Sequence, residues 1–266
     1  MQPRRSLSRW RLLLAAPRSG AENMARDTAL LERAARTGET VFSIYSWEKP
    51  TLSFGRHQAA AGHYDAEAIR AASVDVVRRP TGGRAILHHR EVTYSVTAPL
   101  AGEPLRAAYE RINEVLIDGL ARLGVAATLA APSHRTPPPN ARPCFESPVE
   151  GEVVAAGRKL VGSAQWRDER ALLQHGSILV DDDQSALPSF SLSIEGAPTN
   201  EPVPRPATLS ALLGRSPATG EVADMMFQAV KSIEDAQAMT IEEDEIRDET
   251  LRHVPRYLDQ RWTWRR

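Results

Sequence analysis

A thiol and an amine hold the strongest chemical possibilities in this sequence. Cys144, its single cysteine, sits in Pro143-Cys144-Phe145, directly after a loop stiffened by Pro132, Pro137, Pro138 and Pro139. A side chain there can reach an open site, and a thiolate is an effective nucleophile. Lys159 lies in Gly157-Arg158-Lys159-Leu160-Val161-Gly162-Ser163-Ala164-Gln165. Glycines at both ends of a basic strand start let backbone approach a ligand closely. An ammonium beside a thiol favours the thiolate and pulls its pKa below the free value of about 8.5. Both residues also have a plainer reading. Most lone cysteines are small buried hydrophobes, and the lysine segment reads equally as a hairpin with a solvated turn.

A third cluster is Arg78-Arg79-Pro80-Thr81-Gly82-Gly83-Arg84-Ala85-Ile86-Leu87-His88. Three arginines around a Gly-Gly turn make a place where backbone N–H groups and guanidinium groups can meet an anion. A plain hairpin with a charged tip explains the same letters, and the pattern lacks the Gly-Lys-Ser/Thr ending of a Walker loop. His88, His89 and His175 do not fall at zinc spacing and have no second cysteine to join, so no metal site is expected. His175-Gly176-Ser177 fits a strand-start contact to substrate or a satisfied buried histidine.

The elements that must position these residues follow from periodicity. Asn23 to Arg36 predicts a helix with Met24, Leu30, Leu31 and Ala34 on one face and a stop at Gly38. Arg11–Ala16, Val41–Trp47, Thr51–Phe54, Val92–Ala98 and Val125–Ala130 read as strands, and Asp65–Ala72 as a short helix. Val74–Arg79 and Ala85–His88 read as strands flanking the Gly82-Gly83 turn, which is hairpin chemistry. Leu105, Tyr109, Ile112, Leu116 and Leu120 recur at spacings of three and four, giving a helix over Pro104–Leu123. Glu152–Ala155, Leu160–Trp166 and Leu172–Val180 look like three successive antiparallel strands, Ser185–Pro206 like a long loop, and the remainder like helix. Strands with helices set in blocks between them imply an α+β fold.

Composition narrows the class. With 42% hydrophobic and 25% charged residues, 266 residues can bury one sizeable core. A net charge of -1 argues against a general nucleic-acid binder, which concentrates positive charge to displace counterions. No apolar stretch approaches the roughly 18 to 20 residues of a membrane span. One cysteine forbids an internal disulfide, so a cytoplasmic protein is expected.

Read in order, RRPTGGRAILH followed by EVTYS, then PCFESP, GRKLVGSAQ and LLQHGSILV resemble the biotin/lipoate ligase superfamily, as do the earlier ENMARD and WEKPTLSFGRHQ. The resemblance runs from about Trp10 to Val180, and it is nearest to the LipM-type octanoyltransferase branch, with the LipL-type amidotransferases as siblings. It implies a mixed, largely antiparallel sheet with flanking helices, similar to the catalytic core of biotin ligases and class II aminoacyl-tRNA synthetases. The corresponding domain plan is a flexible N-terminus over 1–10, a catalytic domain over 11–210, and a helical segment over 211–266 packed on it.

Cys144 and the lysine fifteen positions later match the spacing of that branch. The resemblance implies that Cys144 takes the acyl chain as a thioester and that Lys159 lowers its pKa. It also implies that Arg79, Gly82, Gly83 and His88, with Gly162, Ser163, Ala164, His175 and Gly176, line the acyl and carrier-arm pocket. The donor so implied is octanoyl-acyl carrier protein, and the acceptor a lipoyl domain or H protein. No cofactor is implied, since a thioester is already activated. A basic rim of Arg78, Arg79, Arg84 and Arg158 would steer the acidic carrier. The rival readings are an ATP- and Mg-dependent lipoate ligase, which does not need Cys144, and an amidotransferase that moves octanoyl between lipoyl domains. A biotin ligase or a binding module that has lost its chemistry fits less well. Arg84 stands where ligases more often carry a third glycine, which narrows the space for an adenylate, and Ser147-Pro148-Val149-Glu150 departs slightly from the family after the PCF segment.

Overall fold

The computed structural model describes residues 9–100, 102, 104–131, 151–192 and 205–265. Its first half runs β1 (Trp10–Leu14), α1 (Gly20–Thr37), β2 (Thr40–Tyr45), β3 (Thr51–Phe54), α2 (Ala66–Ala71), β4 (Asp75–Arg78), β5 (Ile86–His88), β6 (Glu91–Pro99) and α3 (Leu105–Arg122). Then follow β7 (Ala127–Leu129), β8 (Val153–Ala155), β9 (Arg158–Lys159), β10 (Val161–Arg167), β11 (Ala171–Leu179), α4 (Leu209–Leu213), α5 (Thr219–Ile233), β12 (Met239–Thr240), α6 (Arg247–Leu258) and α7 (Gln260–Thr263).

Six strands form the central sheet in the order β10-β11-β6-β2-β1-β12. The pairs β10/β11, β11/β6 and β6/β2 are antiparallel, and β2/β1 and β1/β12 parallel. The fold is therefore α+β with a mixed, largely antiparallel sheet. Alternation along each strand divides the core. Leu12, Phe42, Val92, Tyr94 and Val96 face α3 and α5, whereas Leu13, Val41 and Tyr45 face α1 and α6. Among the described residues, no helix is long and apolar enough to cross a membrane.

Helix α1 starts three residues earlier than its apolar period predicts. Ser19 caps it, with its hydroxyl accepting from the Glu22 N–H and the Glu22 carboxylate answering the Ser19 N–H. Gly38, in the left-handed region at φ +74°, ends it as expected. Pro104 stands just before α3, as its N-cap, and supplies no side-chain cap.

Two strand pairings differ from the sequence reading. β4 and β5 do not form a hairpin: both pair with β3, β4 in parallel and β5 antiparallel, in a separate sheet of order β4-β3-β5. The Gly-Gly segment between them is thus a loop that crosses over the end of β3. Likewise β8 does not precede β10 and β11 in their sheet, but joins β7 and β9 in a third one. Ala156 and Gly157, both at positive φ, make the tight β8–β9 turn. The segment read as a loop from Ser185 begins with a 3-10 helix over Gln184–Phe190, and 193–204 lie outside the described residues.

Candidate active site

The site is assembled where α1 crosses the central sheet. The helix buries its expected apolar face, and it also buries Asn23, Arg26 and Asp27 at spacings of three and four. The Asn23 amide donates to the Ser46 carbonyl at 3.2 Å, and Arg26 donates to the Asn23 side-chain oxygen at 2.8 Å while stacking over the Tyr45 ring. Asp27 is fully buried, and its Oδ2 accepts from the Tyr45 hydroxyl at 2.9 Å. The same oxygen lies 2.8 Å from Nδ1 of His175 on β11. Nε2 of that ring is 2.5 Å from the Thr81 hydroxyl in the Gly-Gly loop. A carboxyl acceptor facing Nδ1 places the ring proton there and leaves Nε2 to accept from Thr81. Burial, and after it the Asp27 charge, pushes the Tyr45 phenol well above its ordinary pKa, so it serves as a donor.

A second histidine stands beside the first. His88 on β5 is buried, with Nε2 2.8 Å from the Ser53 hydroxyl and Nδ1 3.2 Å from Oε1 of Glu91. Trp47 stacks on it at 4.0 Å between ring centroids, and the indole N–H donates to Thr93. Burial lowers the His88 pKa, more than the Glu91 charge raises it.

The Gly-Gly loop is held by Arg79, whose guanidinium donates to the Gly82 carbonyl at 2.8 Å, the Arg84 carbonyl at 2.7 Å and the Ser53 carbonyl at 3.1 Å. Close backbone approach fixes the loop from the other side. A Cβ on Gly55 would sit 1.9 Å from the Gly83 carbonyl oxygen, so no side chain fits there. Gly83 itself is at φ +92°, a conformation that favours glycine.

Between these parts lies a pocket with largely apolar walls. Arg79, Gly83, His88, Gly162, Ser163, Ala164, His175 and Gly176, all singled out from the sequence, border it. So do Met24, Tyr45, Trp47 and Thr93, which the sequence did not mark as site residues, and Ile86 and Ser177, which it named only within longer segments. The signal for α1 was available in ENMARD, whose Asn23, Arg26 and Asp27 fall on one helix face. Gly82 belongs to the loop but does not border the pocket. His89 is exposed and pairs with Asp183.

Lys159 does not border the pocket either. It is 2% exposed on β9, where Nζ donates to the Glu152 carboxylate at 2.6 Å. Only Leu160 and Val161 separate it from the pocket-lining Gly162. Cys144, and with it the Cys144–Lys159 relationship, lies outside the described residues.

The expected basic rim is corrected at two of its four positions. Arg78 is fully buried and donates to the carbonyls of Gln58 at 2.6 Å, Trp262 at 2.8 Å and Thr263 at 2.9 Å. Burial pulls its guanidinium down to about 10. Arg79 is also buried, its donors directed at the loop carbonyls. A guanidinium has five donors in a fixed fork, and here the fork ties backbone segments together. Of the four, Arg84 is half-buried and Arg158 exposed.

The sheet order, with a pocket between α1 and two sheets, defines the core of an α+β domain built around one buried site. The chain belongs to the lipoyl protein ligase A/B catalytic domain family, whose model matches residues 19–231. Among its relatives is the octanoyltransferase LipM of Kyrpidia tusciae, 46% identical over 188 residues that cover 67% of this chain and 68% of that protein. The octanoyltransferase LipM of Symbiobacterium thermophilum is 38% identical over 227 residues, 81% of this chain and 82% of that protein. The lipoate protein ligase of a bi-partite archaeal system from Thermoplasma acidophilum shares the fold, with a TM-score of 0.76 at 18% identity over 97% of this chain and 96% of that one.

Proposed function

We propose that this chain is an octanoyltransferase that takes octanoyl from acyl carrier protein and passes it through Cys144 to the lysine of a lipoyl domain, such as that of the glycine cleavage H protein. The reading is carried by the largely apolar pocket, bordered by the Arg79–Gly83 loop, Gly162–Ala164 and His175–Ser177, in a chain 46% identical to an octanoyltransferase. An apolar wall holds an acyl chain at about 0.8 kcal/mol per buried methylene.

The Cys144 thiolate attacks the thioester carbonyl, the C–S bond to the carrier breaks, and the carrier leaves as a thiolate that takes a proton from solvent. The acceptor amine then attacks the enzyme thioester and loses its proton; an amide C–N bond forms and the Cys144 thiolate returns. One thioester replaces another in the first step, and the second is downhill, so no nucleotide is required. Lys159 supplies positive charge near the thiolate, from β9, which lies just before the pocket-lining β10 in the chain. The His175 and His88 assemblies shape the polar end of the pocket. A lone thiol is kept reduced in the cytoplasm, which is where this reaction is placed.

The test offers three donors to one apo-lipoyl domain: octanoyl-acyl carrier protein, octanoate with ATP and Mg, and an octanoylated lipoyl domain. The carrier-protein donor is expected to work, with one octanoyl mass on Cys144 that hydroxylamine removes and that Cys144→Ser lacks. Octanoate with ATP as the sole working donor indicates a ligase, and the octanoylated domain an amidotransferase.

A further inference from the structure

Three arginines converge on one indole beside the pocket. The guanidinium carbon of Arg256 on α6 is 4.3 Å from the Trp262 ring centroid, and that of Arg265 is 4.4 Å away. Arg56 approaches the same ring at 6.0 Å while lying 4.8 Å over Trp166 on β10. The indole itself is fixed, because its N–H donates to the Arg78 carbonyl at 3.0 Å and its own carbonyl accepts from the buried Arg78 guanidinium. Arg256 is exposed, and Arg56 and Arg265 are half-exposed.

None of the three makes an ion pair among the described residues; the nearby Asp259 pairs with Arg261 instead. Charge of one sign gathered on a rigid ring, and left without carboxylates, costs the isolated protein self-repulsion. At Arg56, burial first and then the charges of Arg256 and Arg265 lower the guanidinium pKa. A binding partner that supplies negative charge relieves the repulsion.

The cluster is tied to the loop that borders the pocket. The Arg56 N–H donates to the Thr81 carbonyl at 2.7 Å and its guanidinium to the Pro80 carbonyl at 3.3 Å. Thr81 in turn contacts His175, and Gly83 of the same loop borders the pocket. A macromolecule seated on the arginines therefore has its tethered arm within reach of the pocket.

We propose that the Arg56–Arg256–Arg265 cluster around Trp262 is the docking surface for the acidic carrier protein that delivers the acyl thioester. The inference rests on the octanoyltransferase reading and names where its donor binds. The donor fits the cluster with two kinds of oxyanion, the carboxylates of its surface and the phosphodiester of its arm, whereas an acceptor offers at most surface carboxylates, since its lysine arm carries no anion. Guanidinium groups match both kinds of oxyanion.

The experiment measures kcat/KM for thioester formation on Cys144 in the wild type and in Arg256→Glu/Arg265→Glu, with two donors. Octanoyl-acyl carrier protein brings the acidic surface, and octanoyl-pantetheine brings neither surface nor phosphate. With the carrier, the variant is expected to fall by at least about tenfold at low salt; with octanoyl-pantetheine it should stay within about twofold. Arg256→Lys/Arg265→Lys, which keeps the charge, should retain most of the carrier rate. In the wild type, the carrier reaction alone should weaken as salt rises, which serves even if the charge reversal fails to fold. An unchanged carrier rate, or an equal loss with both donors, overturns the docking surface. So does a variant that acylates normally but transfers poorly to the lipoyl domain, since the surface would then serve the acceptor. If neither donor acylates the wild type, the octanoyltransferase reading itself fails and this inference with it.

Discussion

Nδ1 of His175 lies 2.8 Å from Oδ2 of Asp27, a contact between β11 and α1 across 148 residues of sequence. The same carboxyl oxygen accepts from Tyr45 on β2, and the far side of the imidazole meets Thr81 in the glycine loop. One buried carboxyl therefore ties a helix, two strands and a loop around the pocket.

Removing that carboxyl should destabilise the protein in a recognisable way. Asp27→Ala leaves the Tyr45 hydroxyl and the His175 Nδ1 buried without their acceptor, at about 1–3 kcal/mol each. The melting temperature should fall on the order of 10 °C. Tyr45→Phe in the Asp27→Ala background should cost less than Tyr45→Phe alone, because the hydroxyl has already lost its partner. Thermal unfolding of the four proteins checks this; strictly additive losses would show that the two side chains are not coupled through Asp27.

The glycine loop gives a contrast between two neighbouring positions. Alanine at Gly55 would drive a methyl into the Gly83 carbonyl, and should cost several kcal/mol or prevent folding. Alanine at Gly82 meets nothing within 4 Å and should change stability by no more than about 0.5 kcal/mol. Urea denaturation of both variants is decisive, and similar losses would contradict the close approach of Gly55 to Gly83.

Periodicity made the backbone of this fold legible. The apolar spacing in α1, the stop at Gly38 and the two-residue alternation of β2 and β6 are local signals, and each led to the right element. The misread Gly82-Gly83 hairpin shows the limit: the turn chemistry is genuine, but β4 and β5 each find β3, a partner outside the window. Arg78 was read as surface charge because nothing local announces that carbonyls of Trp262 and Thr263 will arrive to bury it. Most of the pocket residues were legible through motif wording. Asp27 was legible only as part of the ENMARD helix face, and its partner could not be read, because His175 lies on a strand 148 residues away.

The neutral, buried His88 should make stability pH-dependent. Its folded pKa is lowered by burial, below the unfolded value of about 6.5. As pH falls below that value, the unfolded chain takes up a proton that the folded protein resists, so stability is lost progressively down to the folded pKa. The slope from this one group can reach about 1.4 kcal/mol per pH unit. Urea midpoints between pH 7 and pH 5 should decline less in His88→Gln than in the wild type. Equal declines would place the sensitivity in another group.

The Lys159–Glu152 pair makes the final prediction, and it has two opposite arms. Under the proposed mechanism the ammonium stabilises the Cys144 thiolate, and the carboxylate 2.6 Å from Nζ partly cancels its field. Lys159→Gln removes the positive charge and leaves Glu152, so the thiol should ionise at higher pH, by on the order of one unit. Glu152→Gln removes the cancelling charge while its amide oxygen can still accept from Nζ, so the thiol should ionise at lower pH. The rate of Cys144 alkylation by iodoacetamide against pH reports both midpoints directly. Shifts in the same direction would mean that the pair acts by shaping the strand turn, and that the thiol does not sense its charge.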